Sequence, residues 1–184
     1  MNAGFWRLCL LGLLSLCAFR PAMANSSWKT FASEKYHFSI HYPESWRLLS
    51  QSKVGLDIAN FPASQKVEGV IIPSSGAIIS VKVVLDKFML TESLIRAYAN
   101  NPILWWREMQ GSEVTGTACK KLIHIESKLE MAPGAYQHLT AYYCFSNQRL
   151  FQFTLTDWEH NPNQRKLGSL AWELVRSLRI TVRK

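Results

Sequence analysis

The sequence is poor in cysteine, with four among 184 residues, and poor in acid, with 13 Asp and Glu against 21 Lys and Arg. It has no Gly-x-Ser-x-Gly, which excludes the nucleophile elbow of a serine hydrolase. It has no glycine-rich phosphate loop and no zinc or calcium signature, so neither a bound nucleotide nor a metal cofactor is expected. Beyond the first two dozen residues no apolar stretch is long enough to cross a membrane as a helix, which takes about 20 residues. No internal repeat, low-complexity tract or interdomain linker divides the chain. No run of Lys and Arg is dense; a nucleic-acid partner would need basic residues interleaved with exposed aromatics in a groove, and the export read below argues against one.

The first two dozen residues have their own order. Arg7 is the only charge before the apolar run Leu8 to Phe19, and Arg20-Pro21 ends that run. Ala22-Met23-Ala24 then offers small residues where a signal peptidase reads them. The apolar run is about a dozen residues, roughly 18 Å as a helix, against a hydrocarbon core of about 30 Å. This predicts a secretory leader over 1–24, cleaved after Ala24, and a single domain over 25–184. A lipoprotein reading would use Cys17, but the bulky Leu16 precedes it. Loss of Arg7 and Arg20 would lower the formal net charge from +8 to +6. A basic exported domain suits an anionic surface such as acidic lipid or wall polymer, unless the charge only maintains solubility.

Cys9 and Cys17 lie in the leader, so Cys119 and Cys144 remain. Two cysteines in an exported domain predict one disulfide. Residues 117–126 and 136–145 read as strands around the loop SKLEMAPGA. A hairpin symmetric about that loop opposes Cys119 to Cys144, within reach of a bond. The competing readings are two buried free thiols, or a register slipped by a residue or two.

Residues 36–42 alternate, with Tyr36, Phe38, Ile40 and Tyr42 on one side and His37, Ser39 and His41 on the other. Pro43 ends the run. His37 and His41 are four apart, a spacing that shares a metal on a helix. On a strand it spans about 13 Å, beyond the reach of one ion with bonds of about 2 Å. Both histidines are therefore expected on the outer face of a strand, and no metal site is assigned. Strands are also expected at 54–61, 77–85 and 149–156, with an edge strand at 178–182. Thr91 reads as the cap of a helix running to Gly111, broken at Asn100-Asn101-Pro102. Asn161-Pro162 opens a second helix with Leu167, Leu170, Ala171, Leu174, Val175 and Leu178 on one stripe. The order predicts an α+β domain with an antiparallel sheet. Adjacent apolar residues such as Leu122 and Ile123 predict a sheet covered on both faces by helices or loops.

The pattern Tyr36, Phe38, Ile40, Tyr42, Pro43 and Trp46 resembles the opening of PsbP-like domains. An apolar strand before a mid-chain helix, and a final helix ending in Ser-Leu-Arg-Ile at Ser177 to Ile180, extend the resemblance over nearly all of 25–184. It implies an α/β/α sandwich around an antiparallel sheet. Members serve as extrinsic subunits at photosystem II, as bacterial envelope proteins or as a small GTPase-binding relative. They share no catalytic motif, so the resemblance supplies no catalytic residue and no cofactor.

Candidate chemistry is sparse. His124, His138 and His160 are scattered, and Asp157 with His160 forms an acid/base couple only if helix capping is not the simpler account. Trp105-Trp106-Arg107 would anchor a partner if exposed, or would split on a helix into one inward and one surface tryptophan. The reading is a non-enzymatic binding or accessory protein with a protein partner at the envelope or a membrane complex. A small exported hydrolase with a His/Asp site, and a basic module holding acidic lipid or wall polymer, are the alternatives.

Overall fold

The computed structural model describes residues 27–62, 72–84, 105–146 and 149–181. Ten strands lie in these stretches: β1 (Trp28–Ser33), β2 (Phe38–Pro43), β3 (Arg47–Ser52), β4 (Gly55–Ala59), β5 (Ala77–Val84), β6 (Trp105–Met109), β7 (Lys121–Ala132), β8 (Ala135–Phe145), β9 (Leu150–Trp158) and β10 (Arg179–Ile180). One α-helix, α1 (Gln164–Ser177), and a 3-10 turn at Gly111–Val114 complete the described elements. The strands form a three-stranded sheet in the order β1-β2-β10 and a seven-stranded sheet in the order β3-β4-β5-β9-β8-β7-β6. All their pairings are antiparallel.

One large core lies between one face of the seven-stranded sheet and a layer made of α1 and the small sheet. Phe151, Phe153 and Leu155 of β9 and Ile79, Val81 and Val83 of β5 meet Leu167, Ala171, Leu174 and Val175 of α1 and Phe38 and Ile40 of β2. Phe38 packs edge-on against Phe151, with ring centroids 5.2 Å apart. The apolar stripe of α1 is the one its 3.6-residue period predicts, with Leu170 only half-buried. Asn161 starts the helix approach: its carbonyl accepts from the Gln164 N–H, and its Nδ2 donates to Gly76. Trp46 turns back into the core, as its place after Tyr42-Pro43 implies, and its N–H donates to Pro43.

The expected sandwich with helices on both faces is not what the chain builds. The one described helix lies on the large-core face. The opposite face carries Ile123, Ile125 and Ala141 with Trp106, Tyr143 and Phe145 around them, and a second cluster of Ala59, Phe61 and Ile72. Leu122 and Ile123 do face opposite ways, but their shared burial needs no second helical layer. The expected mid-chain helix does not reach Gly111. Residues 85–104 lie outside the described residues, and Trp105–Met109 is a strand paired with β7 from Trp105↔Glu126 to Met109↔Leu122. The expected helix runs across Pro102, which disfavours helix before it, into a tryptophan pair that favours strand.

Three local details also differ. The hairpin of β7 and β8 turns at Pro133-Gly134, with Gly134 at φ 75°, as a proline-glycine turn requires. The SKLEMA stretch is therefore strand, and Leu122, not Cys119, stands opposite Cys144. His37 lies in the turn before β2 with φ 47°, so only His41 occupies the exposed outer face.

Candidate functional site

Strand register brings the titratable side chains together. Residues opposite one another in an antiparallel sheet share a face. Arg107, His124, Tyr142 and Phe153 make one row across β6, β7, β8 and β9. Trp105, Glu126, Thr140 and Leu155 make the next, and Lys128, His138 and Asp157 a third. All three rows lie on the face that holds α1.

The first rows form an aromatic ladder. Trp105 meets His124 edge to face at 5.2 Å, His124 stacks on Tyr142 at 4.5 Å, and Tyr142 touches Trp172 of α1 at 5.7 Å. Burial holds the His124 pKa down at about 4, with Arg107 and His138 adding to the shift, so the ring is neutral at pH 7. Its Nε2 lies 3.4 Å from a Glu126 carboxylate oxygen without hydrogen-bond geometry. Burial likewise pushes the Tyr142 hydroxyl up to about 12. Arg107 is half exposed and pairs with Glu113 at 3.2 Å.

The third row holds an ion pair. His138 Nδ1 lies 3.3 Å from Asp157 Oδ1, and the Gln164 amide is 3.2 Å from the same nitrogen. Asp157 has no solvent exposure, and its Oδ2 has no hydrogen-bond partner. The hydrogen bond to Asp157 raises the His138 pKa against the opposing effect of burial, and the Asp157 charge adds to the rise. Lys128 at the strand edge pairs with Glu159.

The acid/base couple of Asp157 with His160, weighed against helix capping, does not form. Asp157 is engaged by His138, and His160 is exposed. The alternation of β9 turns Asp157 inward, while His160 lies beyond the strand end. His138 was visible as a hairpin histidine, but its partner came from register across β8 and β9. The tryptophan pair divides differently from a helix. On a strand, neighbours face opposite sides. Trp105 is 51% exposed beside His124, and Trp106 packs on the other face against the Ile123 cluster.

Cys119 and Cys144 are bonded, with Cα atoms 5.2 Å apart. Cys119 reaches Cys144 from the segment before β7, which the Lys120 N–H holds beside β8 through Phe145. Two open depressions lie elsewhere. One of about 860 Å³ is lined by Ser33, Lys35, His37, Gln51 and Lys53. One of about 370 Å³ is lined by Trp28, His41, Glu173, Arg176, Ser177 and Arg179. Neither includes Asp157 or His138. Among the described residues no group of three or more His, Cys, Asp or Glu is placed to hold a metal ion.

No protein-family model matches the chain, and no curated protein matches it. Among solved structures the chain is similar to the Saccharomyces cerevisiae Ran-binding protein Mog1p, at 12% identity and a TM-score of 0.49 over 84% of this chain and 96% of that one. It is similar to cyanobacterial PsbP from Synechocystis, at 12% identity and a TM-score of 0.47 over 87% of this chain and 96% of that one. It is also similar to a protein of Bacteroides thetaiotaomicron, at 14% identity and a TM-score of 0.48, where it covers 84% of its own length but 48% of that chain. All three likenesses stand at 14% identity or less and at TM-scores below 0.5.

Proposed function

We propose that this protein is a non-enzymatic binding or accessory protein that docks a protein partner of an envelope or membrane-bound assembly through β6. The observation that carries the reading is Trp105, 51% exposed on an outer strand of the large sheet, with the half-exposed Arg107 two residues on along the same face. Tryptophan and arginine are among the residue types enriched in the few positions that carry most of the binding energy at protein interfaces. The Cys119–Cys144 disulfide supports an exported setting, because such bonds persist in oxidising compartments. A leader over 1–24 is part of the same proposal.

The test replaces Trp105 with a photo-crosslinking amino acid and places the same label at Trp28 as a control. A single envelope protein captured from position 105, absent from position 28 and lost in an Arg107→Ala background, supports the reading. Equal capture from both positions sinks it.

A second reading has one observation of its own. Arg176 and Arg179 border the depression that also holds Trp28 and His41, a grouping that suits an anionic surface. Pelleting with acidic-lipid vesicles that disappears with added salt, and with Arg176→Ala/Arg179→Ala, is its expected signature.

A further inference from the structure

The stretch between β6 and β7 folds back far enough for Glu113 to reach Arg107, at 3.2 Å. Gly111, at φ 60°, begins the stretch, and Gly116, at φ 82°, turns it again. Backbone of that hand favours glycine. Two anchors hold the stretch to the body: Val114 is buried in the large core, and Cys119 is bonded to Cys144. Between them Thr117 donates its N–H and its hydroxyl to the Val114 carbonyl, and the Cys119 N–H donates to the Thr117 hydroxyl oxygen. The turn Gly111–Val114 is thereby set in place, and with it Glu113.

Arg107 and Glu113 meet through a single contact, and both side chains are close to half exposed. A guanidinium is a planar fork of N–H donors that a carboxylate satisfies best with two parallel bonds. One exposed contact leaves donors over and contributes little to stability. Trp105, 51% exposed, stands two residues along the same face of β6, roughly 7 Å away. A partner carboxylate on Arg107 would lay its neighbouring side chain over the indole, and an ion pair shielded from water in this way is screened much less. Glu126 lies opposite Trp105 and fixes the polarity. The carboxylate belongs at the Arg107 end and an uncharged side chain at the Trp105 end.

We infer that Glu113 is a tethered competitor for Arg107, and that the segment docking on β6 is an acidic peptide, with a carboxylate for Arg107 and an apolar side chain beside it for Trp105. The inference rests on the docking reading at Trp105 and names the chemistry of its partner. The chain's own carboxylate at Arg107 displays the group that the position accepts. Displacing it takes a rotation of the Glu113 side chain, while Val114 and the disulfide keep the turn where it is.

The test follows the Trp105 indole N–H by NMR while the purified protein is titrated with a blocked tetrapeptide of alternating leucine and glutamate. The same peptide with glutamine in place of glutamate is the control, and Trp105→Phe identifies the signal. The expected result is a shift with the acidic peptide and none with the control. Glu113→Gln should tighten binding by up to about fivefold, the scale of an exposed ion pair, and Arg107→Ala should abolish it. Circular dichroism checks that each chain folds. Equal half-saturation of the natural and Glu113→Gln chains overturns the inference, as does the absence of any shift in Glu113→Gln. A response to both peptides alike, kept in Arg107→Ala, also overturns it and leaves Trp105 as an apolar docking point. No peptide response together with no crosslinking at position 105 removes the docking reading as well. A shift with acidic-lipid vesicles and none with the peptide overturns the inference too, and assigns Arg107 to a membrane surface.

Discussion

His124 and His138 occupy one sheet face two rows apart and are driven in opposite directions. His138 gains a partner in Asp157, so its folded pKa lies above the ordinary value of about 6.5. Its contribution to stability is fully present below that value and is lost as pH rises through the folded pKa. His124 is buried neutral, with a folded pKa of about 4. The unfolded chain binds the extra proton first, so stability falls between about pH 6.5 and 4, by up to about 3 kcal/mol. Urea midpoints measured across this range should therefore peak near neutrality. In His124→Phe the acid limb should flatten while the alkaline limb stays. His138→Ala should be costly by about 3–5 kcal/mol, because it leaves the Asp157 carboxylate buried without its partner. Adding Asp157→Asn to that variant should recover part of the loss. Equal stability of the single and double variants would sink this account of the pair.

At the scale of elements, the β7–β8 hairpin was legible in type but not in register. Its strands are legible, yet Ser127 to Ala132 falls within the expected loop that carries Pro133 and Gly134, although Lys128-Leu129-Glu130-Met131 keeps a strand's alternation. The cysteine pair was found through a symmetric hairpin, whereas the bond joins Cys144 to the segment ahead of β7. That bond closes a sequence separation of 25, for which chain-entropy arguments give about 3–4 kcal/mol of stabilisation. Cys119→Ala/Cys144→Ala should lose about that much in chemical denaturation, and a reducing agent should lower the natural protein to the same level. β6 was misread as helix because five residues hold too little period to separate the two states, and pairing with β7 decides between them.

At the scale of the whole molecule, the fold is a large antiparallel sheet backed on one face by a helix and a small sheet. This places β6 and the β7 hairpin at one side of the molecule, away from the covered centre. The proposed contact at Trp105 lies there. The export reading adds its own prediction. When the full chain is made in a host with a secretory pathway, the intact mass of the exported protein should correspond to a chain starting at Asn25. A retained leader, or a lipid mass added at Cys17, would replace that reading with an anchored one.

The sequence by itself determined the period of each strongly patterned segment: the buried side of β2, the apolar strands β5 and β9, the stripe of α1 and the choice of Cys119 and Cys144 as partners. These are local signals, set by which side of a strand or helix can leave water. Only the tertiary structure decided which histidine meets Asp157, which state the Trp105–Met109 segment adopts, where the hairpin turns, and that the sheet's second face carries side-chain clusters in place of a described helix. Each of these depends on register between segments far apart in the chain. Period alone is silent about register, because sliding a strand by two residues keeps the same face buried while exchanging every neighbour.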